Sequence, residues 1–500
     1  MPRLLPYLIT CCCAAVLFLT ACQRDEQFIT DGDVRLGFSL DTIRFDTVFT
    51  QLGSATQILK VYNTYDQSVR IDRIRLSGDA ASKFRINVDG LAGNDQTAVR
   101  ILPQDSIYVF AEVTIDPDED LSTSPFIINE ELIFETNGNE QRVVLEAFGQ
   151  NANYLPGRFF RDSIAIYSGD RIFDDPKPYV FYGVVGLQNG TWTFPAGTEV
   201  YVHGGVVARE FNPGEGLSIY NGGLLLVLEG GRLDVRGTRE EPVVFRTDRL
   251  EPGFAELPNQ WAGIRLFSTD NHIEHAVIQN SQVGLFVDSA AELSIKNTVI
   301  RYTGGPGLVG VHAAIDGENL LVYDNGGRSL QLAHGGDYRF DHCTFVNYGV
   351  EASAVSINNF ACYDPPLCNV VDLNPLRARL RNSILFGSSR DELSLFDLSG
   401  VDGPDDFDLD LIDCIVRLDD VLDPNEAAFI PDFFDRFCDN CVNGNAQDPL
   451  FTAPSDLDYS LDTLSIAQGI AAPLNGLALD LIGTERDPVA PDAGALERIE

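Results

Sequence analysis

Lysine is nearly missing from this 500-residue chain: only Lys60, Lys83, Lys177 and Lys296 occur, so almost all of the positive charge is arginine. With 74 acidic against 35 basic residues the net charge is −39, which excludes a nucleic-acid partner, because phosphate binding needs a basic surface. Solubility and genomic base composition account for such a surface better than a saline habitat or cation binding does. Helical spacing with caps is also absent between about residues 260 and 420, which excludes a helical bundle there. What is abundant is turn chemistry. Forty-four glycines, 25 prolines, 10% aromatics and a hydrophobic fraction of 44% suit an all-β chain with an ample core.

A repeat gives that chain its architecture. "IKNTVIRYTGG" from Ile295 and "GENLLVYDNGG" from Gly317 place Asn297 and Asn319 22 residues apart. The same phase is held by His275, 22 residues upstream, and His342, 23 downstream; Asn382 and Asp413 continue it after insertions. Short alternating apolar runs recur between these anchors: Ile264 and Leu266, Leu285 and Val287, Val309 and Val311, Leu330 and Leu332, Val355 and Ile357. Two or three short strands per coil of about 22 residues predict a parallel β-helix solenoid. The anchor row is expected to satisfy buried backbone groups at successive turns, as an asparagine ladder does, rather than to be catalytic. In "HIEH", strand alternation sends His272 and His275 to opposite faces, so no metal pair is expected.

"WTFPAGTEVYVHGG" and "LEGGRLDVRGTREEPVVFRTD" resemble the opening coils of right-handed parallel β-helix proteins, the pectate-lyase-like fold, and "IGTERDPVAPDAGALE" resembles their closing segment. The resemblance implies a right-handed parallel β-helix over 179–500. Upstream, "LKVYNTYDQSVRIDRIRLSG", "DSIYVFAEVTIDP" and "TNGNEQRVVLEAFGQ" alternate with turns every 8 to 12 positions, the pattern of a β-sandwich. That stretch is similar to Ig-like modules of bacterial surface proteins, which implies a spacer or docking unit over 31–152, with 153–178 as linker.

The first 22 residues carry Arg3, a short apolar core and Leu19-Thr20-Ala21-Cys22. This resembles a bacterial lipobox, which implies a cleaved signal and a Cys22 acylated by palmitate-type chains. "QRDEQ" after it resembles the acidic export tag of Bacteroidetes-type surface lipoproteins. The expected setting is therefore the outer membrane or cell surface, with the membrane a partner through lipid alone. Outside the cytoplasm disulfides are permitted. Cys362 with Cys368, and Cys438 with Cys441 in "CDNC", are the expected local pairs, because no second Cys pair or nearby His completes a zinc site. Cys343 and Cys414 share a phase of the repeat two coils apart, too far to bond, and are expected as buried thiols.

Strand-end and outward positions supply Arg265, Asp288, His312, Gln331, His334, Asp337, Asn358 and Asn359, expected as a polar groove suited to an extended glycan. His312, His334 and Arg265 are its candidate catalytic groups, a histidine serving as general base. The combined motifs of polygalacturonases are missing, and so is a convincing serine nucleophile. The sequence therefore favours a monomeric surface protein that binds a polysaccharide or an envelope protein without catalysis. A lyase or hydrolase of acidic polysaccharide is the alternative. No metal or cofactor is required, calcium being the one cation left open by the carboxylates.

Overall fold

The computed structural model describes residues 27–498, apart from 50–53, 55, 79–81, 115–125, 151, 158–163, 205, 210–217, 364–367, 369 and 400–405. The lipobox and Cys22 lie outside the described residues. Two compact units divide the chain, 1–151 and 152–500.

The first unit is a β-sandwich. Its strands alternate buried and exposed residues, as in Val69–Leu76, Phe84–Val88 and Ser106–Val113, so each offers one apolar face. Two five-stranded sheets bring those faces together over one core that contains Leu59, Phe84 and Val109 from one sheet and Phe45, Ile74 and Leu145 from the other.

The second unit is a parallel β-helix. One 11-stranded sheet and one 15-stranded sheet stack coil upon coil, and their ladders are parallel throughout. Register follows the repeat: Ile264 pairs with Leu285, Leu285 with Leu308, Leu308 with Leu330 and Leu330 with Val355. Identical phases thus stack into continuous apolar columns, and the whole interior forms one buried cluster from Leu155 to Phe437.

The solenoid begins earlier than the sequence suggests. The expected linker 153–178 is its first coil: Asn153–Pro156 pairs in parallel with Tyr179–Tyr182, and Ala165–Ser168 with Val184–Pro195. Leu155, Ala165 and Phe173 supply its inward side chains, each fully buried. Three isolated apolar residues are enough here because the next coil covers them.

All six anchors occupy the left-handed region, with φ between 48° and 53°, which explains Asn, Asp and His at a corner where the chain changes sheet. Each anchor N–H donates to a carbonyl on the following coil, as from Asn297 to Glu318 (2.9 Å) and from Asn382 to Ile412 (2.8 Å). Their side chains form a second ladder: Asn319 Nδ2 donates to Asn297 Oδ1 at 3.0 Å, and Asn382 Nδ2 to His342 Nε2 at 2.7 Å. Asn440, also left-handed, adds a rung by donating to Asp413 Oδ1 at 2.6 Å.

The C-terminal segment does not close the end of the solenoid. From Leu450 it folds back as a strap along the outer face of the 11-stranded sheet, where Phe451, Tyr459, Leu461 and Ala493 bury Tyr323, Val346, Ile384 and Phe386. Arg486, 3% exposed, enters the ladder from the strap. It donates to Asn319 Oδ1 at 2.9 Å and pairs with Glu497 at 3.3 Å.

Candidate functional site

The expected groove residues separate into three groups. Arg265 packs between the rings of Phe286 and Phe267, 4.4 and 4.9 Å from their centroids, and its Nε donates to Asp288 Oδ2 at 3.0 Å. The pair is closed on itself. Gln331 shares the Arg265 column, but Phe286 and Val309 stand between them, so the continuous polar groove is interrupted.

His312 and His334 meet at a second left-handed corner, with φ 48° and 64° and ring centroids 5.7 Å apart. His312 Nδ1 donates to the His334 carbonyl at 3.2 Å. His334 Nε2 faces Asn374 Nδ2 at 2.6 Å and Asp372 Oδ2 at 3.1 Å, both at or beside the hairpin Phe360–Cys362 and Val371–Leu373. Asn358 Oδ1 accepts the His334 backbone N–H at 2.9 Å. Asn359 is not a groove residue: it is fully buried, and its Nδ2 donates to Asp397 and Ser399 at 2.7 and 2.6 Å. These groups hold the corner in shape.

Asp337 belongs elsewhere, and it leads to residues that the sequence reading passed over. Counted back from each ladder anchor, positions −1, −3 and −5 point outward on the coil's second strand. They give Glu292, Ser294 and Lys296 on one coil, Ala314, Asp316 and Glu318 on the next, and Asp337, Arg339 and Asp341 on the third. A cavity of about 570 Å³ opens on this face, lined by Asp270, His272, Glu292, Asp316, Asp337 and Arg339 among others. Ala314 lies between Glu292 and Asp337 in the register, and its small side chain leaves the space between them open.

The charges on this face fall into two kinds. One set is paired: across coils Lys296 with Glu318 at 2.7 Å and Asp341, 1% exposed, with Arg381 at 2.6 Å, and along one strand Asp341 with Arg339 at 3.1 Å. The hydrogen bond that Arg381 donates to Asp341 holds its guanidinium even more firmly protonated. Glu292 and Asp337 form no ion pair among the described residues. Asp316 is intermediate: Arg339 Nε lies 3.2 Å from Oδ1, yet burial outweighs that cation and raises its pKa above the ordinary carboxylate value. One strand spacing and two residues of rise set the Cα of Asp316 roughly 8 Å from those of both Glu292 and Asp337. No group of three or more His, Cys, Asp or Glu among the described residues could hold a metal ion.

Cys362 and Cys368 form a disulfide with Cα atoms 5.0 Å apart, inside the insertion that overhangs His334. The expected Cys438–Cys441 disulfide is corrected: both are free thiols. Cys441 Sγ turns to the Leu411 carbonyl, 3.4 Å away on the preceding coil, and the two thiols share a hydrogen bond that lowers the Cys441 pKa. Cys343 and Cys414 are buried free thiols, with Ser383 stacked between them.

No protein-family model and no curated protein matches the chain. Solved structures similar to it include the catalytic unit of a thermostable GH87 alpha-1,3-glucanase from Streptomyces thermodiastaticus strain HF3-3. That match has 12% identity, covers 71% of this chain and 73% of that one, and has a TM-score of 0.31. The periplasmic alginate epimerase AlgG matches at 10% identity, over 55% of this chain and 78% of its own, with a TM-score of 0.24. A family 123 glycoside hydrolase from Clostridium perfringens matches at 10% identity over 24% of this chain, with a TM-score of 0.19. The matched region spans 30% of that hydrolase's length, and 59% of the length of a Porphyromonas gingivalis W83 protein of unknown function. At these scores the likenesses say nothing of this chain's activity.

Proposed function

We propose that the outward face around Ala314 binds an extended glycan and hydrolyses it with inversion. The observation that carries this reading is Asp316, a half-exposed carboxyl whose pKa partial burial raises, set across an open cavity from the carboxylate of Asp337, their backbone positions roughly 8 Å apart by register. Inverting glycosidases hold their two carboxyls about 6.5–9.5 Å apart, leaving room for water. In this reading Asp316 donates its proton to the glycosidic oxygen as the bond to the anomeric carbon breaks. Asp337 takes a proton from the water that attacks the opposite face of the sugar. Arg339 fixes the position of Asp316 between turnovers.

The second reading, glycan binding without chemistry, is favoured by the Arg339–Asp316 contact, which opposes proton donation. The sequence supports a chain anchored at the cell surface through lipid on Cys22, with the N-terminal sandwich as spacer, and the same reading assigns no cofactor. The test is a glycan panel scored for both retention and released reducing ends, using the chain from Asp31 onward. Hydrolysis that falls by about 10²–10⁴ in Asp316→Asn and in Asp337→Asn supports the enzyme. Retention with no product in the native chain supports the binding module instead.

A further inference from the structure

The strap leaves part of the ladder open. Its carbonyls accept from ladder amides at Asn440, Asn382 and Asn319, through Ile470 (3.4 Å), Ala472 (2.7 Å) and Leu479 (3.0 Å). Beyond Leu479 the strap turns back, bridging Leu479 to Glu485. The next two rungs, Asn297 and His275, therefore face a second cavity of about 730 Å³, walled on its far side by Gly476–Leu481. That cavity also takes in Glu274, Lys296 and Glu318, which lie two residues further along the same strands as His272, Ser294 and Asp316. The two cavities are consecutive stretches of one trough.

The trough is strongly acidic. Eight carboxylates line its two parts against three basic side chains, and all three are already paired: Lys296 with Glu318, Arg239 with Glu240, and Arg339 with Asp316 and Asp341. A polymer bearing a carboxylate on each sugar would meet like charge at every step, with no free cation to offset it.

We infer that the cavity beneath the strap is a further sugar subsite of this trough, and that the trough takes a neutral or amino-bearing glycan and rejects polyuronates. The inference rests on the glycan reading above and replaces the acidic polysaccharide that the sequence offered as substrate of its alternative, enzymatic reading. The subsite offers Asn297 and Lys296 as donors to sugar hydroxyls and Glu274 and Glu318 as acceptors. Their carboxylates suit a protonated amine equally well.

The test is calorimetric titration of the chain from Asp31 onward with oligomers of two to six units: neutral glucans, chitosan, and alginate or polygalacturonate. Affinity for neutral or amino oligomers is expected to rise at least ten-fold with length. Ala478→Trp, which fills the cavity from an exposed strap position, should abolish that gain and leave disaccharide binding unchanged. Asn297→Gly, which keeps the left-handed corner, should reduce the gain if the tryptophan variant misfolds. Uronate oligomers should bind at least ten-fold more weakly than neutral ones. Tightest binding of uronates, no binding of any oligomer, or an unaltered length dependence in both variants overturns the inference. Length-dependent binding without any product sinks only the hydrolase reading, whereas product release by the native chain with unaltered length dependence in both variants sinks only the subsite.

Discussion

Replacing Asn319 with alanine should cost the solenoid about 5 kcal/mol. Three hydrogen bonds are lost at a site 3% exposed: those to Asn297 Oδ1 and the Leu479 carbonyl, both 3.0 Å, and that from Arg486 at 2.9 Å. The first two are worth about 1 kcal/mol each and the charged one about 1.5–3 kcal/mol. Alanine at φ 52° adds about 1 kcal/mol of left-handed strain, which glycine avoids. Asn319→Gly should therefore be less destabilising than Asn319→Ala by about 1 kcal/mol. Urea unfolding followed by tryptophan fluorescence isolates the relevant unit, because the only two tryptophans, Trp192 and Trp261, are both buried in the solenoid. A loss below about 1 kcal/mol for alanine, or a glycine variant no better than alanine, would refute this account of the ladder.

Three further outcomes follow from buried groups. Glu392, fully buried and accepting N–H groups from Ala354 and Ser389 at 2.7 and 2.6 Å, is pushed up to about 7 by burial. Because its folded pKa lies above the unfolded one, its contribution is complete below the ordinary 4.5 and is lost as pH rises through about 7. Glu392→Gln should flatten the stability profile between pH 5 and 8, and an unchanged slope counts against the assignment. Arg486→Met leaves Glu497 buried without its cation, so it should cost about 3–5 kcal/mol by the same urea assay; a cost under 1 kcal/mol would mean that the strap is held by its apolar contacts alone. Iodoacetamide should label Cys441 in the native chain well before Cys343 or Cys414, whose thiols burial pushes up; equal labelling on peptide mapping contradicts their burial.

The solenoid was legible because one backbone requirement recurs. A left-handed corner accepts few residue types, so Asn297, Asn319 and Asn382 mark it directly, and His275, His342 and Asp413 mark it once the period is known. The first coil was not legible, because Leu155, Ala165 and Phe173 are too sparse to show alternation and gain meaning only under the following coil. The strap was missed for a related reason. Its apolar residues dock sideways on the sheet at no fixed period, and its hydrogen bonds come from backbone carbonyls that any residue supplies. The candidate site lay within reach: the anchors fix the outward phase, and counting back by one, three and five selects Asp316, Asp337 and Arg339 without coordinates. What sequence could not give is the Arg265–Asp288 pairing, the inward commitment of Asn359, or the burial that raises Asp316.

A simple solenoid can gain or lose a coil at little cost, since each repeat answers only to its neighbours. The returning strap removes that freedom here. Ile470 must reach Asn440 while Leu479 reaches Asn319, so the number of coils between those rungs is measured against a ruler of fixed length. Deleting the coil around Asn382 would leave Ala472 without its amide and put Arg486, with its strap partner Glu497, out of step with Asn319. Insertions can accumulate in loops, as the one around Cys362 has, but the coil count itself can change only if the tail changes in the same event.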